Sequence, residues 1–212
     1  MHPIKFSYTP ADDDLTGFVS NATGATWALS ATTPADSLAH LVIITNDSAT
    51  DHSAKTALLT GTDADGIAQT ETLSLPAASV AVTSTKYFAT LTSVVPSATI
   101  GADTMDVGWT DDIVGPTFPL NWRQEQFHVS LGVNISGTID YTVQHTFDRL
   151  HPQVNNTADA APSTFTWWPH ASLVTNTADA DGNYAFPVTA TRLLINSLTA
   201  GATIAFHIVQ GN

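Results

Sequence analysis

The chain has 212 residues and a formal net charge of −13, enough length for one large domain or two small ones. Its six Lys and Arg residues never form a run. That excludes a nucleic-acid surface, which needs clustered cations against phosphate, and an anionic membrane surface for the same reason. Charged residues make up 12% where ~25% is usual, and hydrophobic ones 43%, which excludes both a coiled coil and a disordered chain.

The acids are 17 Asp against two Glu (Glu71 and Glu125), and Thr occurs 33 times. Asp suits turns and Thr suits strands, while the Glu and Lys of helical surfaces are missing, so the composition is all-β. In chain order, the acidic run Asp12–Asp14 follows Pro10 and reads as part of a solvated N-terminal arm. Leu41–Thr45 is a short β-branched strand. Thr56–Thr60 and Ile67–Leu75 flank GTDADG at 61–66, and the Asp-Gly pair predicts a hairpin with a type I′ turn. Tyr87–Val95 and Thr104–Trp109 supply later strands, and turn signals every 8–12 residues suit a sandwich.

Residues 110–121, TDDIVGPTFPLN, carry a Gly, two Pro and two Asp and read as a linker. Beyond it, Val129, Leu131, Val133 and Ile135 alternate with polar residues, as do Ile139, Tyr141, Val143, His145 and Phe147. Ser136-Gly137-Thr138 lies between, so an antiparallel hairpin is expected. A polar loop at 152–164 precedes the aromatic cluster Phe165–Pro169, and Tyr184–Val188, Arg192–Leu198 and Thr203–Gln210 close the chain as strands. The sequence D-A-D-G occurs at 63–66 and again at 179–182, an echo that suggests either two copies of one sandwich plan or two tight hairpins.

Cysteine is absent, so disulfides, thiolate metal sites and cysteine nucleophiles are excluded. The N-terminal residues lack the apolar stretch of a secretion signal and no segment has the length of a membrane span, so a soluble protein made in the cytosol is expected. Paired carboxylates at Asp63/Asp65 and Asp179/Asp181 are the metal candidates, but neither pair has the further oxygen ligands of a calcium loop, and turn chemistry accounts for both. The eight histidines show no H-x-x-x-H spacing. Asp51-His52-Ser53 has the residue types of a triad, yet neighbours in sequence do not converge as a triad does. No catalytic residue, cofactor site or metal site is expected. Trp167-Trp168-Pro169-His170 is the strongest candidate for binding, because adjacent residues on a strand face opposite ways and one Trp is free to reach the surface.

Three stretches, TGTDADGIAQTETLSLP (60–76), TSTKYFATLTSVVPSATIGADTMDVGW (83–109) and ADADGNYAFPVTATRLLINSLTAG (178–201), carry a resemblance over nearly the whole chain. The chain resembles tailed-bacteriophage virion structural proteins, whose head and tail accessory members have similar Thr-rich hairpins. The resemblance implies a virion component and transfers no catalytic residue. The expected fold is all-β, with two consecutive antiparallel β-sandwiches of jelly-roll or immunoglobulin-like type. The first is expected over 1–112 with an extended N-terminal arm, the second over 113–212. The expected function is capsid decoration, bridging copies of the major capsid protein on the outside of the particle, as a homo-oligomer and most simply a trimer. Nucleic acid and membrane are not expected partners. Interface anchors are expected at Trp167, Trp168 and Arg192, since Trp and Arg dominate interface centres. Alternatives are a tail, neck or baseplate protein, and a carbohydrate-binding module or depolymerase that uses Trp167 and Trp168 as a sugar platform.

Overall fold

Fifteen strands and no helix make up the described residues, 3–123, 127–148 and 165–211, in a computed structural model of the chain. The fold is all-β, and the strand pairings given below are antiparallel. Contacts divide the chain into two units. Ala11–Ile113 form one, the inserted unit; the residues up to Pro10 join Val114 onward in the other, the terminal unit.

In the inserted unit, β2 (Asp14–Ala22) pairs with β8 (Met105–Val114), which neighbours β3 (Ala39–Asn46), and β3 pairs with β6 (Ala81–Phe88). A second sheet has the order β5-β4-β7, from β4 (Thr56–Thr62), β5 (Ala68–Ser74) and β7 (Thr90–Pro96). Alternating residues of both sheets, among them Val42, Ile44, Leu59, Leu91, Met105 and Val107, share one buried core with Phe18 and Trp109. Burial of one apolar face by each set of strands is what period-two patterning demands, and it is compatible with a sandwich.

The strands of the terminal unit fall into two hydrogen-bonded sets. One has the order β1-β15-β10-β13, with β1 (Ile4–Tyr8), β10 (Val129–Ser136), β13 (Ala180–Tyr184) and β15 (Thr203–Gln210). In the other, β11 (Ile139–Thr146) pairs with β12 (Trp168–Pro169) and β14 (Ala190–Leu198), and β14 also pairs with β9 (Phe118–Pro119). Leu131, Val133, Phe206 and Ile208 from the first sheet are buried, as are Tyr141, Val143, Leu193 and Ile195 from the second. Tyr184 links the sheets: its ring meets the His145 imidazole at 5.0 Å between centroids, and its hydroxyl lies 3.3 Å from the Thr191 hydroxyl.

Several sequence expectations change. Residues 4–8 are no free arm, because Ile4–Tyr8 pair with Tyr8-to-Ile204 and Ile4-to-Ile208 register on β15. The signal was present in Ile4, Phe6 and Tyr8, which alternate with Lys5 and Ser7. Asp14 opens β2, and Asp12 offers its carbonyl to the Trp109 indole N–H at 3.1 Å. The expected linker is strand to Val114, and its Phe118-Pro119 adds β9 to β14. The residues expected as one strand from Tyr87 to Val95 split at Ala89 into the ends of β6 and β7.

Most consequential, β10 and β11 form no hairpin. β10 pairs with β13 and β15, and β11 with β12 and β14, so Ser136–Thr138 carries the chain from one sheet to the other. Two strands with one apolar face each bury more by facing across the sandwich than by lying side by side at its edge. Gly137 makes the crossing possible. Its φ is +85°, and a Cβ there would lie 2.9 Å from the Ala202 Cβ.

Candidate functional site

β11, β12 and β14 gather the three residues singled out from the sequence. In the ladder, Gln144 stands opposite both Arg192 and Pro169, and His145 opposite Trp168. Paired positions share a face of the sheet, so Gln144 and Arg192 lie together on the outer face while His145 turns inward. The Arg192 Nε–H donates to Gln144 Oε1 at 2.8 Å, and the guanidinium sits 4.0 Å from the Trp167 ring centroid. A cation–π contact of this kind contributes about 0.5–1 kcal/mol at an exposed site. That is too little to hold a fold and enough to hold a flexible side chain in one orientation.

Trp167 is half-buried beneath Arg192, whereas Trp168 keeps 53% of its surface exposed. Neither fills the core. Phe165 lies 6.4 Å from Trp167 and extends the aromatic surface. The Asp148 carboxylate ties the end of β11 to this segment by accepting the Thr166 N–H at 2.6 Å.

Phe147 and Phe186, which sequence reasoning passed over, belong to the same end of the sheet. They are 53% and 48% exposed and stack on each other with centroids 6.1 Å apart. Phe147 continues the inward alternation Ile139, Tyr141, Val143, His145, but it stands one residue past the end of β11. An inward position beyond the strand end becomes a rim position, and that was the available signal. Phe186 stands to Tyr184 as Phe147 stands to His145, two residues on.

Below the rim, His145 is packed edge-on against Phe147, Tyr184 and Phe186. Its Nδ1 is buried without a hydrogen-bond partner among the described residues. Burial, with His170 nearby, holds the imidazole below its ordinary range, so it stays neutral near pH 7. His170 is better satisfied: Nε2 donates to the Asn183 carbonyl at 3.2 Å, and Nδ1 accepts the Ser172 N–H at 3.2 Å. Burial raises the Tyr184 hydroxyl well above the ordinary phenol range, against the lowering effect of its Thr191 bond.

The remaining candidates are parts of the scaffold. Asp63 Oδ1 accepts the N–H groups of Asp65 and Ile67 at 3.0 and 2.9 Å, and Gly66 takes φ +77°. Only Gly66 of this loop has a positive φ, so the turn is not type I′ but a longer loop built around an Asx turn. The second D-A-D-G is no turn. Asp179 accepts the Ile135 N–H at 2.7 Å and the Asn134 amide at 3.1 Å, while Asp181 and Gly182 run within β13 opposite Gly132 and Leu131. The echo of sequence is therefore not an echo of structure. His52 turns from its sequence neighbours to Asp103, with Nε2 to Oδ2 at 3.0 Å, while the Lys55 ammonium donates to Nδ1 at 3.1 Å. Among the described residues no three metal-ligating side chains converge. Glu125 lies outside the described residues. No family model, curated protein or solved structure matches the chain.

Proposed function

We propose that the protein is a structural component of a phage virion, a decoration protein that binds the outside of the capsid and bridges neighbouring copies of the major capsid protein. The observation that carries this reading is Arg192 held over the Trp167 ring on one side of β11, β12 and β14, together with the exposed Trp168 and the exposed pair Phe147 and Phe186 around the inward-facing His145. Large exposed aromatics beside an oriented Arg are the composition of an interface centre. A set of such rings left in water is costly, and burial against a partner removes that cost. The low charge content supports the same reading, since few ions lose water on association. The protein acts without catalysis and as a homo-oligomer, a trimer matching the threefold positions of a capsid lattice.

Reconstruction of phage particles carrying this protein, with and without a label on it, tests the reading. The expected result is density for trimers on the capsid exterior, touching more than one capsid subunit. Label confined to the tail, neck or baseplate would replace this reading with that of a tail protein. A monomer in sedimentation, together with heads that are equally stable without it, would remove the bridging role.

A further inference from the structure

The repeated D-A-D-G places one Asp-Gly bond at Asp65-Gly66 and another at Asp181-Gly182, and no other Asp in the chain precedes a Gly. Such a bond carries its own chemistry. The nitrogen that follows Asp can reach the side-chain carbon Cγ through a five-membered ring, and Gly leaves that nitrogen unshielded and free to turn. The two tetrapeptides are identical, so a difference in reactivity between them belongs to the fold. Gly66 lies in the exposed loop between β4 and β5 with φ +77°, and a Cβ there would meet no atom within 4 Å. Gly182 lies within β13 opposite Leu131 of β10. A Cβ there would be 2.8 Å from His170 Cε1 and 3.0 Å from Leu173 Cδ1.

Ring closure requires the Asp backbone to rotate so that the next nitrogen approaches Cγ. At Asp181 that rotation breaks the pairing of Gly182 with Leu131 and of Asp181 with Gly132, and it moves Gly182 against His170 and Leu173. At Asp65 it disturbs bonds of the loop, three of which end on Asp63. The Gly66 N–H donates to the Asp63 carbonyl at 3.1 Å, and the Asp65 and Ile67 N–H groups donate to Asp63 Oδ1 at 3.0 and 2.9 Å. Opening an exposed loop costs less than opening a laddered strand, so the loop visits the reactive geometry more often. Asp63 is the brake on that opening.

We propose that Asp65 is a site of spontaneous covalent modification, converting to isoaspartate through a succinimide, and that the fold protects Asp181 from the same reaction. The Gly66 nitrogen bonds to Asp65 Cγ, and its proton leaves with the carboxyl hydroxyl as water. One water then opens the imide. Attack at the main-chain carbonyl of Asp65 leaves the chain running through Cγ, one methylene longer, and attack at the other carbonyl restores aspartate. The longer loop carries the Ile67 N–H away from Asp63 Oδ1 and the Ile67 carbonyl away from the Asp63 N–H, now 2.9 Å apart, so this end of the β4–β5 pair loosens. The test is to age the full chain in warm neutral buffer, digest it, and locate isoaspartate by enzymatic methylation and by resistance to an Asp-specific endoprotease. Isoaspartate at Asp65 should exceed that at Asp181 by about tenfold in the folded protein, and the two should be equal in a chain aged in denaturant. Asp63→Ala should speed the reaction at Asp65. Asp65→Glu keeps the charge but forms no five-membered ring, and should abolish it. Equal conversion at both positions of the folded protein, an excess at Asp181, or no conversion at Asp65 while the unfolded chain reacts would each overturn the proposal. None of these results bears on capsid occupancy, so the two readings fail separately.

Discussion

Under the proposed reading, Arg192 is a side chain held ready before a partner arrives. Held by Gln144 and stacked on Trp167, it has already lost the rotamer freedom that an interface would otherwise have to remove. Arg192→Lys keeps the charge but loses the planar stack and the Nε bond, so its particle occupancy should fall nearly as far as that of Arg192→Ala. Trp168→Ala should likewise lower occupancy, while thermal stability changes by no more than about 1 kcal/mol, because half of that ring is already in water. Quantifying bound protein per particle beside a melting curve separates the two effects. His145 gives a pH dependence of defined sign. Its folded-state affinity for a proton is depressed, so the unfolded chain binds protons more readily, and the stability due to this group is present above an unfolded pKa of ~6.5 and lost as pH falls below it. His145→Phe should flatten the change in melting temperature between about pH 7.5 and 5. In the inserted unit, burial raises the Asp36 carboxyl, but bonds from His40 and from the Ala11 and Leu38 N–H groups outweigh it and hold the carboxyl below its usual range. The His40 ring also reaches the Thr110 carbonyl at 2.7 Å, and both pair members are almost wholly buried. Asp36→Ala therefore takes away one of the two hydrogen-bond partners of a buried imidazole and should cost about 1–3 kcal/mol in denaturant unfolding. In the unaltered protein that support is present above the unfolded pKa of ~3.9 and fades as acid carries the pH through the lower folded value.

At the scale of elements, the legible and the illegible divide along a physical line. The ends of β3, β4, β11 and β15 can be read to within about two residues, because each is rich in β-branched or alternating apolar residues and has Gly, Asp or Asn within two residues of at least one end. β13 cannot, because the turn composition of Asp179–Gly182 masks a strand whose pairing with β10 is backbone-driven. The two D-A-D-G segments have the same residues and opposite conformations, which shows tertiary pairing overriding turn propensity. Asp63→Ala should prove the difference: it removes the acceptor for two backbone N–H groups and should destabilise the β4–β5 hairpin by about 1–3 kcal/mol. Asp179→Ala, on an exposed carboxylate, should leave unfolding nearly unchanged and instead loosen Asn134. Hydrogen exchange at Ile67 and at Ile135 reports each change locally. A hairpin between β10 and β11 was the natural reading of two alternating strands and a short Ser-Gly-Thr turn. Alternation names the inward face, but it does not say whether the neighbour lies beside the strand or across the core.

For the whole molecule, the largest departure is the return of the N-terminal residues to β15. A chain lacking residues 1–10 would expose the full edge of β15, with Phe118 and Phe206 losing the cover of Phe6, whose ring stacks 3.9 Å from that of Phe118. We expect that truncation to lower the melting temperature and promote self-association in sedimentation, a result that a merely solvated arm would not produce. The sequence by itself determined the all-β class, the absence of cysteine and of any run of Lys or Arg, and the inward faces of the long strands, since these follow from composition and period alone. It also singled out Trp167, Trp168 and Arg192. Only the tertiary structure decided that Arg192 stacks on Trp167, that Trp168 stands opposite His145, that Phe147 and Phe186 pair on the rim above it, and that β10 and β11 belong to different sheets. Those outcomes depend on which strand edges pair across separations that run from 23 residues for His145 and Trp168 to 204 for Ile4 and Ile208. Backbone hydrogen bonds make that choice with almost no regard for side-chain identity, so it leaves no local mark in the chain.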